Sequence, residues 1–157
     1  GYGRDPCPQH AMSIRTFIVD TNVLVAGLIT REPLSPTAKI VDVMLSGSMF
    51  FLLSSALLAE YREVLVRPRL SRAHGLSEPE LEQILTEIAA NGIWRETAPD
   101  KAYRPPDPGD AHLWSLLAFE PMAVLVTGDR MLLENPRPKS LIISPATWAQ
   151  HFQVSPP

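Results

Sequence analysis

The chain has 157 residues, 45% hydrophobic and 20% charged, with 14 Lys and Arg against 17 Asp and Glu for a formal net charge of -3. At roughly 100–200 residues per core one domain is expected, and the slight acidic excess argues against a polybasic nucleic-acid binder but not against an enzyme that meets nucleic acid through metal ions. Lone Cys7 excludes an internal disulfide scaffold and suits the cytoplasm; no apolar run approaches the ~20 residues of a membrane span, and residues 1–11, without a signal-peptide core, read as a tag or disordered extension before a single domain over 12–157.

Thr16 to Asp20 is a β-branched and aromatic run ending in a carboxylate, the pattern of a buried strand. Ser35-Pro36 then supplies an N-cap and a first-turn proline for a helix through Ile40, Val41, Met44 and Leu45, stopped by Gly47. Met49 to Leu53 is a second strand, after which Leu57, Leu58, Tyr61, Val64 and Leu65 recur at helical spacing until Pro68. The S-x-x-E box at Ser77 to Glu80 opens a helix through Leu81, Ile84, Leu85 and Ile88 that Asn91-Gly92 ends. Pro99, Pro105, Pro106 and Pro108 hold about ten residues out of regular structure, and Asp110 caps a helix through Leu113, Trp114, Leu116 and Leu117. Met122 to Val126 forms a third strand before Thr127-Gly128-Asp129, Leu141 to Ile143 a fourth, and Ser144-Pro145 opens a short helix containing Trp148 and Phe152. Short, nearly continuous apolar strands alternating with helices specify an α/β protein with three layers, a central parallel sheet covered on both faces.

Open parallel sheets bind ligands beyond the carboxyl ends of their strands. Asp20 closes the first strand, Asp129 follows Val126, and Asp110 opens its helix toward the same rim. At about 100° per residue Glu60 lies some 40° outside the apolar stripe of its helix and Glu63 about 100° outside, so Glu60 borders the core while Glu63 faces solvent. Four carboxylates on one rim repel one another unless a cation is present, and an all-oxygen donor set suits Mg²⁺ or Mn²⁺. His10, His74, His112 and His151 show no zinc spacing. Neither a G-x-x-x-x-G-K-[ST] nor a G-x-G-x-x-G loop is present.

Taken in order, Val19-Asp20-Thr21-Asn22-Val23-Leu24, Ser54-x5-Glu60-Tyr61-x-Glu63-Val64-Leu65, Asp107-Pro108-Gly109-Asp110 and Val126-Thr127-Gly128-Asp129 resemble the PIN-domain family over roughly Ile14 to Trp148. The nearest branch in pattern is the bacterial and archaeal toxin components of toxin-antitoxin pairs, akin to the VapC toxins. The resemblance implies a PIN-like α/β/α fold and a ribonuclease dependent on Mg²⁺ or Mn²⁺. It carries the family's catalytic and metal-holding acids onto Asp20, Glu60, Asp110 and Asp129, and supporting roles onto Asn22 and Thr127, with Asp107 a further acidic position. It also implies an RNA substrate, a small antitoxin partner, and a homodimer or higher homo-oligomer. This branch commonly has two adjacent acids after the proline; here Gly109 replaces one of them.

Each residue has a plainer reading beside the functional one. Asp20 and Asp129 can be turn residues, Glu60 can pair with Arg62, and Asp110 can serve as an N-cap while also binding metal. Asp107 suits an acidic surface position in a proline loop. Arg67, Arg69 and Arg72 form a basic cluster fit either for RNA phosphates or for solvent, and Arg130 is better placed for a phosphate contact. Trp94, Trp114 and Trp148 are expected in the core, and His112, opposite Trp114 and Leu117 on its helix, is expected to be exposed and structural. Two other classes compete. A haloacid-dehalogenase-type phosphatase requires an aspartate where Asn22 stands, and a receiver domain requires paired acids before the first helix. The remaining alternative is a PIN-like RNA- or protein-binding scaffold without activity.

Overall fold

Thr16 to Val19 (β1) forms the middle strand of a sheet in the computed structural model, which describes residues 15–152. The readings of residues 1–11, Cys7 and His10 lie outside the described residues. β2 (Phe50–Leu53), β3 (Ile93–Trp94), β4 (Val124–Val126) and β5 (Leu141–Ile143) complete five strands in the order β3-β2-β1-β4-β5. Every pairing is parallel, with Phe17 of β1 opposite Phe51 on one side and Val124 on the other. Phe17, Ile18, Val19, Leu52, Leu53, Val124, Leu125 and Val126 are all buried. Their uninterrupted apolar character follows from that: a strand covered on both faces has no solvent face on which to alternate.

The chain fills the sheet on one side of β1 and then crosses to the other, so the order reverses between β1 and β4. Diverging connections at such a switch point open a crevice at the carboxyl ends of the strands. Asp20 lies at that end of β1, its backbone N–H bonded to Val126 C=O at 3.0 Å. Thr127 is the corresponding residue of β4, bonded to Ile143 C=O at 2.9 Å.

Eight α-helices among the described residues supply the outer layers: α1 (Thr21–Ile29), α2 (Pro36–Ser46), α3 (Ser55–Leu65), α4 (Pro68–His74), α5 (Glu78–Asn91), α6 (Ala111–Phe119), α7 (Arg130–Glu134) and α8 (Pro145–His151). The caps expected at Ser35, Ser77 and Ser144 form: Ser35 accepts from Ala38 N–H and Ser144 from Thr147 N–H, while Ser77 and Glu80 close both bonds of the capping box; Ser54 caps α3 as well, accepting from Leu57 N–H. Gly47 adopts a left-handed φ of 76° after α2, where any other residue meets strain. Gly27 lets α1 approach α2: a Cβ there would lie 2.4 Å from Val41 Cγ2 and 2.5 Å from Thr37 O.

Four elements differ from the expectations. α1 follows β1 with no break, and its sequence TNVLVAGLI is apolar almost all round, so no stripe announces it. Pro68 does follow the end of α3, but as the first residue of α4, because a proline at N1 gives up only an N–H that needs no helical partner. β3 is a two-residue fifth strand, and α7 is a five-residue helix. Trp114 and Trp148 are buried as expected, whereas Trp94 is 40% exposed on the edge strand β3, its Nε1–H donating to Ala89 C=O.

Candidate active site at the carboxyl ends of β1 and β4

The crevice at the switch point is a cleft of about 530 Å³ whose walls carry Asp20, Glu60, Asp107, Asp110 and Asp129 beside Val25, Ile29, Val64 and Leu70. The four acids selected from the sequence, and the weaker Asp107, therefore face one space. They line its walls without closing on one another: among the described residues no three His, Cys, Asp or Glu side chains form a ready-made metal cage.

Asp20 is only 4% exposed and is held from three directions. Thr21 N–H donates to Oδ1 at 2.8 Å, and Thr127 Oγ1 and Asn22 Nδ2 donate to Oδ2 at 2.8 and 3.2 Å. Burial raises its pKa, and the bonds from Thr127 and Thr21 act against that rise by favouring the carboxylate. Thr127 also accepts from Asp129 N–H at 3.0 Å, and Asn22 Oδ1 accepts from Gly128 N–H at 2.8 Å. These two polar residues thus bind the end of β1 to the loop after β4.

Asp129 Oδ1 accepts from Met131 N–H at 2.9 Å and caps α7. The turn reading of Asp129 and its place on the cleft are thus compatible, since a carboxylate has a second oxygen.

Glu60 reaches the cleft because Tyr61 Oη, wholly buried, donates to Val19 C=O at 2.5 Å and fixes α3 against the end of β1. Glu63 is exposed, as its place on the helix requires. The alternative pairing of Glu60 with Arg62 does not occur, for Arg62 pairs with Glu82. Glu60 instead accepts from Thr21 Oγ1 through Oε2 and meets His112 Nε2 through Oε1 at 3.2 Å. His112 is consequently not the exposed residue expected: its side chain is 18% exposed. Opposite the core on a helical wheel does not mean solvent at the first turn of α6, because that turn abuts α3 across the rim.

Asp110 also departs from expectation. It stands at the N-cap position of α6 but its side chain makes no capping bond. Asp107 instead caps the preceding 3-10 turn (Pro108–Asp110), accepting from Gly109 N–H at 2.9 Å. Half-buried and surrounded by Asp20, Asp107, Glu60 and Asp129, the Asp110 carboxyl is pushed up to about 7, first by burial and then by those negative charges.

The basic candidates sit on the surface. Arg67 pairs with Glu63 at 3.0 Å and Arg130 with Glu134 at 3.2 Å, both one helical turn apart. Arg69 and Arg72 are exposed on α4, and Arg69 neighbours Leu70 in the cleft wall. Thr21 and His112 are the site residues that sequence reasoning missed. Thr21 stood inside the D-T-N string, while nothing local marks His112, whose partner is 52 residues away.

Fold and site together define the class: a three-layer α/β protein with carboxylates gathered at the switch point of an all-parallel sheet. The PIN-domain model matches residues 16–131, from the first residue of β1 past Asp129, and the chain belongs to the PIN-domain family. PIN domains are as a class nucleases, hydrolases of nucleic acid that typically use divalent metal ions. No sequence among curated proteins matches the chain. Among the described residues no helix is long and apolar enough to cross a membrane.

Proposed function

We propose that the chain is a metal-dependent endoribonuclease, the toxin member of a toxin-antitoxin pair, working in the cytoplasm. The observation that carries the nuclease reading is that Asp20, Glu60, Asp110 and Asp129 line one cleft, where burial first and then the neighbouring carboxylates push the Asp110 carboxyl up to about 7. A cleft of this kind favours a counter-cation, and its donors are hard carboxylate oxygens, which fit Mg²⁺ or Mn²⁺. Asp20, Asp110 and Asp129 would hold the ion, with Glu60 completing the set or orienting water.

A bound ion supplies polarisation of the scissile phosphate and a water of lowered pKa. The residues do the rest. Thr127 and Asn22 keep Asp20 in one orientation, so that no reorganisation accompanies the reaction. To serve as a ligand Asp110 would have to give up its proton, which would couple occupancy to pH. Val25, Ile29, Val64 and Leu70 offer an apolar wall to sugar and base, and Arg69 at its margin, with Arg67 and Arg130 once released from their glutamates, takes flanking phosphates.

The antitoxin is a small protein whose C-terminal segment enters the acidic cleft in place of RNA, and the toxin is a homodimer or higher homo-oligomer. The deciding experiment is cleavage of labelled single-stranded RNA by purified protein with Mn²⁺, Mg²⁺ or EDTA, alongside Asp20→Asn. Metal-dependent cleavage that Asp20→Asn abolishes supports the nuclease. No cleavage of several RNAs with either metal moves the chain to an inactive scaffold. Co-purification with the product of a neighbouring gene tests the toxin assignment separately.

A further inference from the structure

We propose that His112 is a positioning residue which, together with Thr21, clamps Glu60 in the orientation that faces a cation in the cleft. Both oxygens of Glu60 are engaged, Oε2 by Thr21 Oγ1 and Oε1 by His112 Nε2 at 3.2 Å. The two partners come from different elements, the start of α1 and the first turn of α6, so the carboxylate cannot turn without breaking one bond or the other. Each oxygen keeps a second lone pair, and the clamp therefore orients the group without consuming it.

The other nitrogen of the ring selects this role. Nδ1 of His112 is buried and has no hydrogen-bond partner among the described residues. With the proton on Nδ1, a donor would be buried without an acceptor while bare Nε2 faced a carboxylate oxygen. The hydrogen-bond pattern thus assigns the neutral ring as the Nε2–H tautomer, donating to Glu60. A histidine with only a surface role keeps both nitrogens in water; here one is desolvated while the other holds Glu60. The same turn carries Asp110, so the contact also ties the Asp110 side of the cleft to α3.

This inference rests on the reading of the cleft as a metal site, and Mn²⁺ binding by the whole chain at fixed pH, measured calorimetrically without RNA, separates the two. His112→Ala is expected to weaken Mn²⁺ about tenfold, as loss of a group that orients a ligand does, with its thermal midpoint measured to confirm folding. His112→Gln, whose amide can donate from a similar reach, is expected to recover most of that loss. In a Glu60→Gln background His112→Ala is expected to change affinity by less than about twofold, since two residues acting through one contact are non-additive. Wild-type affinity in His112→Ala, or effects of Glu60→Gln and His112→Ala that simply add, overturns the clamp and leaves the metal site standing. Failure of the wild-type chain to bind Mn²⁺ overturns both.

Discussion

The two sides of the cleft are built differently. On the β1 side, Asp20 is almost wholly buried and receives three hydrogen bonds, two of them from side chains that also bind the loop after β4. On the other side, Asp110 stands on a proline-glycine turn with no capping bond, and its carboxyl rises to about 7. Burial acts on both, but donors offset it only at Asp20. One side is therefore organised in advance, while the other depends on what enters the cleft to balance its charge. Under the proposed metal-dependent mechanism that arrangement would give one fixed ligand and one that responds to pH and to occupancy.

The comparison breaks most sharply at Asp20. Asp20→Asn is expected to reduce RNA cleavage by on the order of 10³-fold, the equivalent of several kcal/mol of transition-state stabilisation, in single-turnover assays with Mn²⁺. Retained cleavage would show that the fixed side is not the centre of the chemistry.

Arg137 tests the other side from a distance. It is buried, bonded to Asp100 at 2.8 Å, and lies 4.9 Å over the Tyr103 ring, anchoring the proline loop that leads to Asp107 and Asp110. The guanidinium holds the Asp100 carboxyl below its usual range. Arg137→Ala strands that carboxylate and is expected to cost about 3 kcal/mol, read from the urea midpoint. An unchanged midpoint would mean that the loop holds itself in place.

Thr127→Val removes one donor to Asp20 while preserving shape, and is expected to weaken Mn²⁺ about tenfold. Equal affinity in calorimetry would show that the remaining bonds are enough to fix Asp20.

The pH dependence of the metal-free fold sharpens the contrast further. The folded value for Asp110, about 7, lies above the ordinary 3.8, so across that window the folded chain binds a proton that the unfolded chain releases. The stabilisation from protonated Asp110 is complete below about pH 4 and is lost as pH rises through about 7. The urea midpoint of wild type should therefore fall relative to Asp110→Asn across this window. Parallel curves for the two proteins would show that folding does not raise the Asp110 carboxyl. The smallest expected effect is at the surface: Arg69→Ala should lower the salt dependence of RNA binding by about one phosphate contact, with little change in base preference.

Much of this architecture is readable locally. Continuous apolar runs at Phe17 to Val19, Phe51 to Leu53 and Val124 to Val126 require strands covered on both faces, and short-range side-chain caps at Ser35, Ser77 and Ser144 mark helix starts. Strand-end logic then selects Asp20 and Asp129, and helical angle separates Glu60 from Glu63. By contrast, α1 has no polar face to betray its period, and β3 needs Leu52 and Leu53 as partners before two residues count as a strand.

The α/β class, the parallel sheet, its acidic rim and the family all follow from residue pattern. The wiring of that rim emerges only in the folded chain. Thr127 reaches Asp20 across 107 residues, His112 reaches Glu60 across 52, and Arg137 meets Asp100 across 37. Propensities and caps are interactions between near neighbours and therefore leave a local pattern. Burial, pKa and hydrogen-bond partnership depend on which distant segments the sheet brings together, and no local pattern encodes them.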